Sequence, residues 1–242
     1  MLKAAIEKIQ ELCKGRTEVI EGVPYLITGD GYEQIKPDLE ITDNLTLNSL
    51  DSLVQMVKTE ALPKITPIYI TIPSHLTVRC FTQPMDSARN KRLKLYDVKA
   101  TDVPGWGDNV KLSFEEAVIS LRTRFQDTPD NQYALKLLSE ITSGSKITLN
   151  DNGIATSVVT KKGIDLQSNT PIKPIVRLKP YRTFQEVEQP ESQFLIRVGE
   201  RGISFIEADG GMWKLEARKT IYYWLSAHLG DEIRDGSVVL AL

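Results

Sequence analysis

Residues 171 to 229 read PIKPIVRLKPYRTFQEVEQPESQFLIRVGERGISFIEADGGMWKLEARKTIYYWLSAHL, and their patterning decides the fold class. Ile172 to Leu178, Phe194 to Val198 and Ile203 to Glu207 alternate apolar and polar residues, the period of a half-buried strand. Pro174 inside the first run places it at a sheet edge or a bulge, because proline cannot donate to a ladder. Gly199 and Gly202 bracket a turn, and Asp209-Gly210-Gly211 turns the chain into Met212 to Leu215. The pattern then changes to a helical period: Glu216 to Leu229 places Ala217, Ile221, Trp224, Leu225 and His228 on one face. Strands therefore come in clusters with helices set apart, which predicts an α+β fold rather than a regular βαβ alternation.

Working back along the chain gives the same texture. Leu2 to Lys14 has the apolar spacing of an amphipathic helix, and Gly15 stops it. Short β-prone runs flank Glu21-Gly22, a hairpin signal. Asn48 to Ala61 is a second amphipathic helix with Leu50, Leu53, Val54 and Val57 inward, and Asn48 as the expected cap. Thr66 to Ile72 and His75 to Phe81 read as buried strands. Lys91 to Ala100 reads as a half-exposed strand, with Leu93, Leu95 and Val98 inward and Lys94 and Tyr96 outward. Ser113-Phe-Glu-Glu116 is a capping box opening a helix, and Thr128-Pro129-Asp130 separates it from a partner, so a helical hairpin is expected. Asn150 to Gly153 joins two further strands, and Val238 to Leu242 reads as a strand that docks. The expected architecture is clustered, mostly antiparallel strands with a central helical hairpin and a C-terminal helix. The composition shift near residue 144 suggests three parts: a mixed α/β part (1–112), a helical bridge (113–144) and a β-rich part closed by a helix (145–242), which could form one continuous domain.

Composition narrows the function classes. At 242 residues the chain can bury a core without staples. Its net charge of −2 speaks against a general polyanion binder. Cys13 and Cys80 stand apart, which makes neither a disulfide framework nor a zinc site and predicts a reducing, cytoplasmic setting. The N-terminal stretch carries acidic residues and no long apolar run, so neither a signal peptide nor a membrane partner is expected.

No catalytic motif emerges, and no cofactor or metal is expected. His75 and His228 are the two histidines, and Ser74 and His75 are neighbours that point to opposite faces of a strand. Glu207 and Asp209 with Lys214 could hold a metal in a nuclease or hydrolase, but the order Lys214-Leu215-Glu216 departs from the usual acid then Glu-x-Lys. A solvated strand face and an Asp-Gly turn explain them more simply. Lys91, Arg92 and Lys94, and separately Arg177 and Arg182, mix cations with nearby aromatics, as a nucleic-acid groove requires. An ordinary strand face is the plainer reading of both.

What the strands and helices leave over is a proline-bracketed segment and a surplus of aromatics. Pro180 to Pro190 is expected to be extended and able to lie across a neighbour, presenting Tyr181, Phe184, Glu186 and Glu188. Tyr222 and Tyr223 flank the inward stripe of the last helix, so at least one is expected at the surface. These six residues form the expected partner or oligomer interface. Trp106, in a glycine-flanked loop, is either tucked under it or offered to a ligand.

The runs PYRTFQEVEQPESQFLIR (180–197) and EADGGMWKLEA (207–217), with TLNSLDSLVQMVK (46–58) and PGWGDN (104–109) upstream, resemble the functionally uncharacterised YfdQ-like group of proteins encoded by tailed phages and prophages. The resemblance covers most of the chain in order and carries no catalytic residue. It implies a phage or prophage origin and expression in the cytoplasm of a bacterial host. There the chain would be a non-enzymatic, homo-oligomeric binding protein engaging a host or phage macromolecule, for instance in evading host defence. An accessory role on nucleic acid in replication or recombination is the alternative, and a nucleotide-sequestering protein or a metal-dependent enzyme comes after it.

Overall fold

The structure, a computed structural model, describes residues 16–20, 23–28, 31–35, 44–85, 91–107, 109–142, 147–151, 156–162, 166–171, 173–199 and 202–242. The expected helix over Leu2 to Lys14, with Cys13, lies outside them. The fold is α+β, with mostly antiparallel strands, a central helical hairpin and a long helix near the C-terminal end. Among the described residues no helix is long and apolar enough to cross a membrane.

One core forms on a five-stranded sheet. Its strands are β4 (Leu45–Leu47), β5 (Ile68–Ser74), β6 (Thr77–Thr82), β7 (Lys94–Lys99) and β15 (Val238–Ala241), in the order β15-β5-β6-β7-β4. The central three run antiparallel, while β15 and β4 add to the two edges in parallel. Helix α1 (Leu50–Met56) begins at Ser49, whose hydroxyl accepts the Ser52 N–H at 3.1 Å, so the cap lies one residue beyond the expected Asn48. A π-helical turn, Val57–Ala61, prolongs it. Helix α4 (Trp213–His228) contributes Ile221 and Leu225, which pack with Leu50, Leu53, Ile70, Val78 and Val98. The short α5 (Gly230–Arg234) follows it and leads into β15. Helix α4 begins at Trp213, three residues earlier than its periodicity suggests, and His228 is exposed rather than on the buried stripe.

Strand β7 departs from simple alternation. Tyr96, Asp97 and Val98 are buried in succession, so Tyr96 belongs to the core and not to the outward face. A register shift between β6 and β7 at Cys80/Phe81 breaks the two-residue period there. The Asp97 charge is balanced by three nearby cations, Arg79 at 3.5 Å, Lys94 at 3.4 Å and Lys99 at 3.8 Å.

The second core forms between a four-stranded antiparallel sheet and the helical hairpin. The strands are β8 (Asn109–Leu112), β12 (Ile175–Leu178), β13 (Ser192–Gly199) and β14 (Gly202–Glu207), in the order β12-β13-β14-β8. Gly202 is required where β8 crosses it, because a Cβ there would sit 2.1 Å from the Leu112 carbonyl oxygen. Helix α2 (Phe114–Thr123) starts at the expected capping box, with Ser113 and Glu116 exchanging hydrogen bonds. Those bonds hold the Glu116 carboxyl below its ordinary range. Helix α3 (Pro129–Thr142) returns alongside, tied by the buried Asn131 amide, which donates to the carbonyls of Leu121 (3.1 Å) and Gln126 (3.3 Å). Leu121, Leu138, Val176, Phe194, Ile196 and Phe205 fill the space between. Trp106 is tucked against this core, edge-on to Phe125 with centroids 4.6 Å apart.

Two three-stranded antiparallel sheets complete the described elements. One is β1 (Arg16–Ile20), β2 (Val23–Thr28) and β3 (Gly31–Gln34); the other is β9 (Ile147–Asp151), β10 (Thr156–Lys162) and β11 (Leu166–Pro171). The first contains the expected hairpin, with Ile20 opposite Val23.

Packing links the first and last of the three expected parts. Helix α4 and strand β15, from the last part of the chain, complete the core begun by residues 45 to 99.

Candidate functional site

The Pro180–Pro190 segment departs from its expected role. It is irregular, with a turn over Gln185 and Glu186, rather than extended. The chain leaves the second core at Leu178, enters the first with Phe184 and Val187, and returns at Phe194. Phe184, expected at an interface, is 1% exposed. Its side chain is core.

Each polar residue of the segment explains part of this path. The Gln189 side chain sits inside the bend and accepts the N–H groups of Arg182 (2.9 Å) and Thr183 (3.2 Å). It also donates to the carbonyls of Phe184 (2.9 Å) and Val187 (3.3 Å). One buried amide thereby replaces the ladder that an irregular segment lacks. Glu186 accepts the Leu50 N–H at 2.7 Å, which places a carboxylate at the first turn of α1 where the helix dipole favours it. Thr183 donates to the His75 carbonyl at 2.6 Å, and Gln185 to that of Asp102 at 3.0 Å. Glu188 pairs with Lys179 at 2.5 Å, which holds its carboxyl below the ordinary range. Tyr181 is half-buried, and its N–H donates to the Arg124 carbonyl at 2.9 Å.

Arg182 was expected as a nucleic-acid contact, and burial removes it from that role. It is 3% exposed, pairs with Glu207 and lies 4.1 Å over the Trp213 ring. Of the other basic candidates, Arg177 is exposed, and 3.7 Å separates it from Glu191. Lys94 reaches Asp97, and Arg92 stacks at 3.9 Å over Tyr69 while donating to the Thr82 carbonyl. Lys91 is exposed beside it. The 91–94 cluster borders the five-stranded sheet and Arg177 lies on the four-stranded one, so the two groups sit on different sheets.

The acidic candidates for metal chemistry are likewise accounted for. Glu207 is occupied by Arg182, and Asp209 accepts the Gly211 N–H at 3.1 Å in the turn before α4. Among the described residues no group of three or more His, Cys, Asp or Glu is arranged to hold a metal ion. His75 packs edge-on against Trp213 at 4.7 Å. Burial, then Lys214 and Arg182, push its pKa below the ordinary value. Burial pushes the Cys80 thiol up to about 12, so it is an inert core residue.

Among the large apolar side chains left exposed, three lie on the outer side of α4, while others, such as Tyr32, Ile119 and Ile175, are set on separate elements. Met212 is 66% exposed, Leu215 40% and Tyr223 67%. With Lys219 between them, these residues recur every three or four positions and share one side of the helix. Tyr222 differs: it is half-buried and packs on the first core, with its ring 5.8 Å from that of Tyr223. The N-terminal half of this stripe lines a cleft of about 310 Å³ with Arg177, Glu191 and Gln193. The same three residues line a second hollow of about 580 Å³ that reaches Asp130 and Ile175. The two hollows therefore adjoin at these residues, one beside the start of α3 and β12, the other beside the exposed side of α4. Met212 and Leu215 carry no such signal in the sequence, because they precede the helical period that shows from Glu216, whereas the exposure of one of Tyr222 and Tyr223 is legible there. Comparison of the chain with protein-family models, with curated proteins and with solved structures finds no match.

Proposed function

We propose that this chain is a non-enzymatic binding protein of phage or prophage origin, working as a homo-oligomer in the bacterial cytoplasm. It engages a host or phage macromolecule, in a setting such as evasion of host defence. The contact face is the outer side of α4 with the groove that adjoins it. The observation that carries this reading is the row Met212, Leu215 and Tyr223, large side chains left in water on one side of a helix whose opposite side is core. Aromatic and methionine side chains are enriched at protein interfaces, the aromatic ring because it buries much area and fixes few torsions, the thioether because it adapts to the surface it meets. The adjoining groove adds both signs of charge, through Arg177, Lys219, Glu191, Asp209 and Glu216, to orient a partner. Further support is that the conspicuous acids, Glu186, Glu188 and Glu207, are engaged in holding the fold.

Affinity purification from infected cells, with mass spectrometry of retained proteins and small molecules, tests this reading. The wild-type chain is expected to retain a partner that M212A/Y223A loses. Identical recoveries from the two would sink it.

A further inference from the structure

Strand β15 ends the five-stranded sheet, and its outer edge meets no other strand among the described residues. The Ile68 N–H donates to the Ser237 carbonyl at 2.9 Å. In the parallel register Val238↔Ile68, that bond commits the odd-numbered residues of β15 to the ladder with β5. The N–H and C=O groups of Val238 and Leu240 consequently point outward from the sheet.

We propose that two copies of this chain associate by antiparallel pairing of their β15 edges, joining their two five-stranded sheets into one. The idea rests on the homo-oligomer reading and gives it a surface, leaving the outer side of α4 for the macromolecular partner. The contrast with β12 argues for it. That edge is closed from within: Asp130 accepts the Arg177 N–H at 2.6 Å, and the Tyr133 hydroxyl accepts the Lys173 N–H at 2.8 Å. Strand β15 has no such cover among the described residues. Its sequence, Ser237-Val-Val-Leu-Ala-Leu242, also holds no charged side chain and no proline, the residues that guard free edges. A second copy suits it because an uncharged strand laid antiparallel on itself brings no like charges together and closes with two-fold symmetry. Val239 and Leu242, 40% and 49% exposed, would gain cross-strand neighbours.

The test is light scattering on the full chain, with hydrogen exchange read at Val238 and Leu240. Wild type is expected at twice the chain mass, with both amides protected. V239K/A241K, whose new charges sit at exposed positions, should run at the single-chain mass, with those amides exchanging at least about tenfold faster. L240P removes an outward N–H and should do the same; if it fails to fold, the lysine variant still decides. A wild-type oligomer that V239K/A241K leaves intact overturns the edge pairing while keeping the oligomer. So does protection of the Leu240 amide in a single-chain species, which would mean that another part of the chain covers the edge. A wild-type chain of single mass at every concentration overturns both.

Discussion

The Arg182 guanidinium and the Glu207 carboxylate form an ion pair with side chains 3% and 6% exposed. The pair sits where the chain turns from the second core into the first, with Arg182 lying between the Trp213 ring and, at 5.4 Å, the Phe194 ring. Two residues that read separately as a nucleic-acid contact and a metal ligand are each other's partner. Removing one leaves a buried charge, so R182A or E207A should each cost about 3–5 kcal/mol in urea unfolding, while R182M/E207L should cost much less.

Phe184 separates a structural bend from a surface strap. Because Phe184 is buried in the first core, F184A should lower stability by about 3–5 kcal/mol. A residue on an exposed contact segment would change it by no more than about 0.5 kcal/mol. Chemical denaturation distinguishes the two.

Gln189 holds four backbone groups of the same bend. Q189A should cost about 2–4 kcal/mol, because those buried donors and acceptors lose their partner. Protease nicking within 180–190 should rise in parallel, and unchanged nicking would argue against the bend's dependence on this side chain.

His75 gives the fold a pH dependence near neutrality. Its folded pKa lies below the ordinary 6.5, so the unfolded chain binds the proton more readily. Its contribution is present above that ordinary value and is lost as pH falls through the lowered folded one. The thermal midpoint of wild type should therefore drop more than that of H75N between about pH 7.5 and about pH 5. Equal drops would show that His75 is not responsible.

Much of the fold was legible because its signals are local. The Ser113–Glu116 capping box, the hairpin at Ile20 and Val23, and the edge position announced by Pro174 all depend on residues a few positions apart. The joining of β15 to β5 spans most of the chain, and no periodicity encodes it. The role of 180–190 was hidden for a related reason. Two prolines suggest an extended strap, whereas Phe184 and Val187, three apart inside them, are what a chain needs to dip one turn into a core. At the candidate site, Tyr223 stands out as an aromatic off the inward stripe. Met212 does not, because the apolar period of α4 shows in the sequence only from Glu216, while the helix starts at Trp213.

The contact face on α4 is tested most directly by a photo-reactive residue at position 223, compared with one at Glu115 on α2, which is also exposed. Irradiation in infected cells should yield a discrete covalent adduct with one macromolecule from position 223 and none from position 115. The same adducts from both positions, or none from 223, would contradict the account.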